Sequence, residues 1–277
     1  MYRSAKLIST ILFSLGITYT SQAQTLTFDD RTVDSLTFVQ TRNVINTLPN
    51  SMFQKKVYTE GDKQLPYRLL LPKDYDQGKK YPLILTLHNS SRIGNDNEGQ
   101  LEHLTKTWIR EDIYSTYQAF VIAPQFSERS SIYSRNNDGL TVSQPYPDIG
   151  LVLNLLTQFQ KEYRIDPSRI YLVGYSMGAS TAQNLINLAP KRFAAIASVA
   201  AVPDISHLDK WKNKPIYLIH GKKDIDNPYE GSVALFERLK GNKKAIFKTY
   251  NELHHGNITI PLLLNDNLAN WLFKQRR

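Results

Sequence analysis

Short, continuous apolar segments alternate with amphipathic ones along most of this chain, and that alternation limits the folds open to it. The apolar segments have the length of strands. From residue 147 onwards the segments between them carry apolar residues at helical spacing, as in Ile149, Val152, Leu156 and Phe159. Strands that are apolar on both sides are typical of a parallel sheet between two helix layers. The sequence therefore predicts an α/β fold, a mostly parallel central sheet with helices on both faces. The predicted buried strands are Leu83–Leu87, Ala119–Ala123, Ile170–Val173, Phe193–Val202, Ile216–Ile219 and Ala245–Tyr250.

The segment before these strands has a weaker pattern. Residues 52–59 and 65–71 are predicted to pair as strands around the turn Glu60-Gly61-Asp62. Residues 24–51 are polar and carry no motif, so they fit an edge strand or a flexible extension. We therefore predict one domain over residues 52–277, preceded by an N-terminal extension over residues 24–51.

Two longer segments complete the predicted organisation. Residues 125–147 are polar and are predicted to form a long loop, after which Asp148 is expected to cap a helix. Residues 260–272 carry apolar residues at helical spacing and are predicted to form one closing helix.

A targeting segment is predicted over residues 1–23. Arg3 and Lys6 precede an apolar run from Leu7 to Ile17, and Ser21-Gln22-Ala23 has the small-x-small pattern of a cleavage site. This order is typical of a secretory signal peptide, and the run is shorter than the roughly 20 residues that span a bilayer. We expect cleavage after Ala23 and a periplasmic or secreted protein with no stable membrane anchor. Retention of the segment as an anchor is the alternative.

The charge and the cysteine content exclude several classes of function. The 277 residues include 34 Lys and Arg against 25 Asp and Glu, which gives a net charge of +9. The basic residues stand mainly as isolated pairs, whereas a nucleic-acid surface needs a cluster or stripe, so no nucleic-acid partner is expected. The chain has no Cys, which excludes a thiol nucleophile and a cysteine-based zinc site. No His and Asp cluster has the spacing of metal ligands, so no metal is expected.

One motif stands where a nucleophile could be presented. Gly174-Tyr175-Ser176-Met177-Gly178 lies between a predicted buried strand and a predicted helix. In a G-x-S-x-G elbow the chain turns sharply and exposes the Ser at the carboxyl end of the sheet. The positive potential of the helix N-terminus there favours developing negative charge. Ser176 is therefore the candidate nucleophile, and a structural Ser in a tight turn is the alternative.

Acid and base candidates follow in the chain order Ser, acid, His that this motif requires. The turn after a buried strand contains Asp224 and Asp226, and the loop after the last strand contains His254 and His255. In such a triad the His takes the Ser proton and the acid fixes the tautomer of the His. These residues alone leave both choices open, and surface side chains without a catalytic role are the alternative. The mechanism needs no cofactor, and none is expected.

Several further stretches complete a family pattern. They are Lys80-Tyr81-Pro82-Leu83, Leu87-His88, Gly94-Asn95-Asp96-Asn97, Ala123-Pro124-Gln125, Asp166-Pro167-Ser168-Arg169-Ile170-Tyr171, Pro190-x-x-Phe193-Ala194-Ala195, His220-Gly221 and Pro228. Together with the elbow, they resemble an α/β-hydrolase of the group that includes esterases, phospholipases and predicted peptidases. That group is related to secreted feruloyl and acetyl-xylan esterases and to polyhydroxybutyrate depolymerases. The resemblance implies the α/β-hydrolase fold.

The resemblance also chooses between the candidate side chains. In the family pattern His-Gly-x-x-Asp-x-x-x-Pro the acid is the fourth residue after the His, which here is Asp224. The final His of the family lies five residues after the Tyr that ends the last strand, which here is His255. Asp226 and His254 become second choices.

The oxyanion hole is expected from two backbone N–H groups. One belongs to Met177, directly after the nucleophile, and the other is assigned to Ser90. Here the chain departs from the family, because His88-Asn89-Ser90-Ser91 replaces the usual His-Gly-x-Gly. Positive φ angles are harder for Ser than for Gly, so a modest turnover is expected. Gln125, at a neighbouring strand end, is a candidate substrate contact.

These features predict a secreted serine carboxylic-ester hydrolase that acts through an acyl-enzyme on a small-molecule or oligosaccharide ester. The resemblance and the predicted export favour acetyl or feruloyl groups on polysaccharide. A serine peptidase of the same fold is one alternative. A catalytically weak carbohydrate-binding protein is another, because the oxyanion glycines are replaced.

Overall fold

The computed structural model describes residues 24–277, and the predicted signal peptide lies outside the described residues. The strands are β1 (Thr25–Asp29), β2 (Gln54–Glu60), β3 (Lys63–Leu70), β4 (Tyr81–Leu87), β5 (Phe120–Pro124), β6 (Ser131–Arg135), β7 (Thr141–Pro145), β8 (Ile165–Tyr175), β9 (Ala195–Val199), β10 (Ile216–Gly221) and β11 (Ala245–Tyr250). Nine of them form one sheet in the order β1-β11-β10-β9-β8-β4-β5-β3-β2. The first seven strands in this order, β1 through β5, pair in parallel with their neighbours. Strand β3 pairs antiparallel with β5 and with β2. The predicted mostly parallel sheet is confirmed.

Helices cover both faces of the sheet, as predicted. They are α1 (Ser35–Asn46), α2 (His103–Lys106), α3 (Glu111–Thr116), α4 (Gly150–Glu162), α5 (Met177–Leu188), α6 (Tyr229–Arg238), α7 (Ile260–Leu263) and α8 (Asn267–Phe273). Buried residues of α4, α5 and α6 belong to the core on one face. Buried residues of α1, α2, α3, α7 and α8 belong to the core on the other. Over residues 24–277, no helix has the length and apolarity needed to cross a membrane.

The N-terminal extension is ordered and joins the sheet. Strand β1 pairs in parallel with β11, from Thr25 opposite Ile246 to Asp29 opposite Tyr250. Helix α1 starts at the cap Asp34, whose side chain accepts the backbone N–H of Thr37. Ile45 of this helix is fully buried in the core. Residues 24–51 therefore supply an edge strand of the sheet, as one of the two expectations had it, and the sheet begins at Thr25.

Two predicted segments differ from the structure. Residues 125–147 contain the hairpin β6–β7, because their polar side chains bond helix α5 instead of water; Ser131 Oγ lies 2.8 Å from Asn184 Oδ1. The closing helix is broken into α7 and α8, because the Asn265 side chain accepts the backbone N–H of Asn267 and forms a turn. Asp148 caps no helix with its side chain and pairs instead with Lys63.

Candidate active site

Ser176 stands at a turn that only glycines on either side permit. It lies between β8 and α5 with φ 57° and ψ −125°, a conformation that costs a non-glycine residue on the order of 1–3 kcal/mol. A Cβ on Gly174 would lie 2.3 Å from the backbone of Gly178, and a Cβ on Gly178 would lie 1.9 Å from the carbonyl oxygen of Leu87. The two glycines allow helix α5 to pack against the ends of β4 and β8, which holds Ser176 in its strained position.

The side chains of Ser176, His255 and Asp224 form one hydrogen-bonded chain. Asp224 follows β10 and His255 follows β11, so parallel neighbours bring them to the same edge of the sheet as the elbow. Ser176 Oγ lies 2.8 Å from His255 Nε2, and His255 Nδ1 lies 2.7 Å from Asp224 Oδ2. An ionised carboxylate only accepts hydrogen bonds, so Nδ1 carries the proton and Nε2 is free to accept the hydroxyl proton of Ser176.

Asp224 is held as a buried, ionised acceptor. Its side chain is fully buried, and its Oδ1 accepts the backbone N–H groups of Asp226 at 3.0 Å and Asn227 at 2.9 Å. Burial acts to raise its pKa, but hydrogen bonds from His220, His255 and the Asn227 backbone outweigh burial and lower the pKa below the usual range. The carboxylate therefore stays charged and keeps His255 in the tautomer described above.

His220 positions the turn that carries Asp224. Its ring is fully buried, and Nε2 donates to the carbonyl oxygen of Asn227 at 2.9 Å. That donation requires a proton on Nε2, so Nδ1 accepts the hydroxyl of Ser232 at 2.7 Å. Nε2 also lies 3.2 Å from Asp224 Oδ2. His220, near the end of β10, thus contacts Asp224 and does not reach Ser176.

The second-choice residues have other positions. Asp226 is exposed, and only its backbone N–H bonds Asp224. His254 caps the short 3₁₀ turn His255–Asn257: its Nδ1 accepts the backbone N–H of Gly256 at 3.2 Å, and its own N–H donates to Asn257 Oδ1. These two residues therefore serve as matched controls for Asp224 and His255.

We expect Asp224→Asn to lower kcat for ester hydrolysis by about 10³- to 10⁴-fold. The amide can donate to His255 Nδ1, which favours the tautomer that cannot accept the Ser176 proton. Asp226→Asn removes the same charge two residues away and should retain activity within about twofold of the wild type. Initial rates on a p-nitrophenyl ester measure both variants, and equal losses in the two would contradict the role of Asp224.

Two backbone N–H groups are candidates for the oxyanion hole: that of Met177, directly after Ser176, and that of Ser90, which lines the same groove. Met177 begins α5 and Ser90 begins the 3₁₀ turn Ser90–Arg92, and neither backbone N–H has an acceptor among residues 24–277. Asn89 caps that turn with φ −74°, its Oδ1 accepting the N–H of Ser91 at 2.9 Å. None of residues 89–91 is among the described residues with positive φ. The strain of positive φ angles, expected because Asn89 and Ser91 replace glycines, is therefore absent. This loop instead forms a 3₁₀ turn capped by Asn89.

Gln125 differs from its predicted place. It is buried with 1% exposure and does not line the groove at Ser176. Its Oε1 accepts the N–H of Asn97 at 2.6 Å, and its Nε2 donates to Asp96 Oδ1 at 2.8 Å. The predicted substrate contact of Gln125 therefore fails. The end of β5 directs the Gln125 amide into the loop after β4, and the amide holds that loop in place.

The groove at Ser176 has a volume of about 270 Å³ and contains residues that the sequence analysis missed. Tyr175 lies beside His255, with ring centroids 5.1 Å apart, and its hydroxyl donates to the carbonyl oxygen of His255 at 2.8 Å. Arg42 reaches the groove from α1, and Arg92 and Glu102 reach it from the loop after β4. The motif G-x-S-x-G could have indicated Tyr175, because its first x lies next to Ser176. No pattern in the sequence around Arg42 or Glu102 indicates that they lie in the groove.

Glu102 is a buried carboxyl that holds the loop after β4 through Asn89. It is 6% exposed, and its Oε2 accepts the backbone N–H of Asn89 at 3.4 Å and the side-chain amide of Asn89. Burial raises the pKa of Glu102 to about 7, and the bonds from Asn89 and the charge of Arg92 oppose that rise only in part. The carboxyl therefore loses its proton near neutral pH in the folded protein.

Glu102 makes stability depend on pH. Its pKa is raised from 4.5 to about 7, so between these values the unfolded chain binds fewer protons than the folded one and stability falls as pH rises. We expect Glu102→Gln to remove this slope. The Tm of the variant minus the Tm of the wild type should therefore be larger at about pH 8 than at about pH 5.5. Glu98→Gln is the control, because the hydrogen bond from Lys55 lowers the pKa of Glu98 and leaves no such slope in this range. Melting curves at both pH values measure this difference. The same Tm difference at the two pH values would contradict the raised pKa of Glu102.

Among residues 24–277 one set of side chains could supply metal ligands, and it fits a metal poorly. Donor atoms of Asp224, Asp226 and His255 lie within 4.8 Å of one another. Both oxygens of Asp224 accept hydrogen bonds, and His255 Nδ1 is committed to Asp224. A metal here would have to break the bond that orients His255.

Comparison with known proteins places this geometry in a family. The Esterase family model, described as "Putative esterase", matches residues 60–258. A probable feruloyl esterase C of Aspergillus niger is 29% identical over 64% of this chain and 61% of its own length. A bifunctional acetylxylan esterase/xylanase of Neocallimastix patriciarum is 27% identical over 63% of this chain and 22% of its own length. The chain thus spans less than two thirds of the length of these relatives.

Solved structures agree on the fold. A thermostable esterase superposes with a TM-score of 0.71 at 28% identity, covering 82% of this chain and 64% of that one. A ferulic acid esterase gives 0.58 at 15% identity, covering 80% of this chain and 98% of that one, a likeness of fold alone. The family model spans the elbow and both strand ends that carry Asp224 and His255. The chain therefore belongs to the Esterase family and has the α/β-hydrolase fold.

Proposed function

We propose that this chain is a serine carboxylic-ester hydrolase that removes acyl groups, acetyl or feruloyl, from polysaccharide. One observation carries the proposal: the unbroken hydrogen-bond chain from Ser176 Oγ through His255 to Asp224, with separations of 2.8 and 2.7 Å. Ser176 stands at a helix N-terminus, and the backbone N–H groups of Met177 and Ser90 have no acceptor among the described residues. These are the groups that acyl transfer needs.

In the proposed mechanism His255 Nε2 takes the hydroxyl proton while Ser176 Oγ attacks the ester carbonyl. The backbone N–H groups of Met177 and Ser90 donate to the oxyanion, and Asp224 stabilises the imidazolium. His255 then gives its proton to the leaving alcohol oxygen, which leaves an acyl-serine. In the second step His255 takes a proton from a water molecule, which attacks the acyl group. His255 then returns the proton to Ser176 Oγ, and the carboxylic acid product leaves.

The substrate class is inferred from two sources. The relatives named above are feruloyl and acetylxylan esterases. The groove is small and largely polar, which suits an acyl group attached to a sugar. The peptidase alternative has support only from fold, since an acylaminoacyl peptidase superposes with a TM-score of 0.51 at 18% identity. Export through a signal peptide over residues 1–23 remains part of the proposal.

A substrate panel tests this function. The purified chain should hydrolyse p-nitrophenyl acetate, and it should release acetate from acetylated xylo-oligosaccharides or ferulate from feruloylated arabinoxylo-oligosaccharides. A peptide p-nitroanilide with an N-acyl group should be a poor substrate. Faster cleavage of the anilide than of every ester would overturn the proposal in favour of a peptidase.

A further inference from the structure

Two arginines line the groove next to the nucleophile. Arg42 comes from α1, within the N-terminal extension, and Arg92 comes from the loop after β4. Their positions in the chain are 50 residues apart, and the packing of α1 beside α2 brings Arg42 to the groove that Arg92 also lines. The proposed chemistry uses neither guanidinium, so their charge in the groove has another role.

Neither guanidinium has a carboxylate partner within the described part of the chain. Every ion pair found within 4.0 Å over residues 24–277 involves other residues. Arg92 Nε is buried and has no hydrogen-bond acceptor there. Arg42 Nε donates to His103 Nε2 at 3.2 Å, which holds that ring neutral. A buried charged donor without an acceptor is costly, so the half-buried Arg92 has unused capacity for an anion. Arg42 is also half-buried, and apart from the bond to His103 its nitrogens have no acceptor within residues 24–277.

The other titratable groups of the groove leave it positive. Burial, with the charges of Arg42, Arg92 and Lys106, lowers the pKa of His103 to about 4, so this ring is neutral near pH 7. Glu102 is the one carboxylate among the groove-lining residues, and its pKa of about 7 leaves it partly protonated there. Its Oε2 is bonded to Asn89. His255 is bonded to Asp224, a carboxylate outside the lining. The two guanidinium charges therefore exceed the negative charge of the groove.

We propose that this groove binds an ester substrate that carries a carboxylate, held by Arg42 and Arg92. Planar guanidinium groups bind carboxylates through paired N–H···O bonds. The carboxylate belongs either to a uronic-acid residue next to the acylated sugar or to a dicarboxylic acyl group. The inference rests on the proposed ester hydrolysis and narrows its substrate class.

Binding to Ser176→Ala tests the inference without turnover. Titration calorimetry compares acetylated glucuronoxylo-oligosaccharides with acetylated xylo-oligosaccharides of equal length, and ethyl hydrogen succinate with ethyl butyrate. We expect the anionic member of one pair to bind about tenfold more tightly at low salt, with the advantage shrinking as salt screens the charges. The pair that shows it identifies the source of the carboxylate. Equal affinities within both pairs would overturn the inference.

Substitutions then assign the preference to the two arginines. In the same Ser176→Ala background, Arg42→Gln and Arg92→Gln should each lower the anionic-to-neutral affinity ratio about threefold, and Arg42→Lys should lower it less. Lys212→Gln is the control: it removes an exposed charge just before β10, at the opposite edge of the sheet, and should leave the ratio unchanged. An unaltered ratio in Arg42→Gln and Arg92→Gln, or an equal fall in Lys212→Gln, would overturn the inference.

The two proposals fail in different ways. Hydrolysis of neutral and anionic esters at equal rates, with equal affinities, would leave the esterase standing and remove the anion site. A carboxylate preference in binding, without hydrolysis of any ester by the wild type, would leave the anion site standing and remove the esterase.

Discussion

Ser176→Ala is expected to lower kcat for p-nitrophenyl acetate by about 10⁴- to 10⁶-fold. The substitution removes the atom that attacks the carbonyl, and the oxyanion donors and the groove alone cannot replace it. Residue 176 has a positive φ, which costs Ala about as much as Ser, so the melting temperature should change little. Burst-phase and steady-state release of p-nitrophenolate measure the loss.

Ser180→Ala separates nucleophile loss from damage to the helix. Ser180 lies one turn along α5, and its Oγ donates to the carbonyl oxygen of Val202 at 2.8 Å. Its removal should lower the melting temperature, since a buried hydrogen bond contributes about 1 kcal/mol, and should retain most of the activity. A Ser176→Ala variant with more than about a tenth of wild-type kcat would contradict Ser176 as the nucleophile.

His255→Gln should cost nearly as much as the loss of Ser176, on the order of 10⁴- to 10⁶-fold in kcat. The amide nitrogen or oxygen of Gln cannot carry a proton from Ser176 Oγ to the leaving group. Because the members of a triad act together, the double variant with Ser176→Ala should be no worse than either single one. Rates on one ester, measured for the three variants, give this comparison.

His254→Gln is the matched control for that experiment. His254 is exposed and caps the turn that begins at His255, with Nδ1 accepting the N–H of Gly256. Its loss should reduce activity by less than about tenfold, through looser placement of His255. If His254→Gln were the inactive variant and His255→Gln the active one, the base would have to be reassigned.

The position of the site could be predicted from local patterns because the sheet is parallel. Continuous apolar strands, each followed by a polar turn, imply that the turns meet at one edge, and Ser176, Asp224 and His255 lie in three such turns. Local patterns did not distinguish Asp224 from Asp226. That choice depends on which carboxylate the turn buries against His220, and the resemblance to a family supplied it.

The predictions that failed concern contacts between distant segments. The polarity of residues 125–147 indicated a loop, whereas those side chains bond to α5. Gln125 was expected in the groove, whereas its amide holds the loop after β4. Arg42 lies in a segment that carried no motif, and only the packing of α1 brings it to the groove. Each outcome depends on tertiary contacts that no window of sequence contains.

Covalent labelling shows directly whether Ser176 is an activated nucleophile. The full chain is treated with a fluorophosphonate, which reacts with an activated serine, and the modified peptide is located by tandem mass spectrometry. We expect a single adduct on Ser176, formed faster in the wild type than in His255→Gln and not formed in Ser176→Ala. An adduct on another residue, or labelling of Ser176→Ala at the wild-type rate, would contradict it.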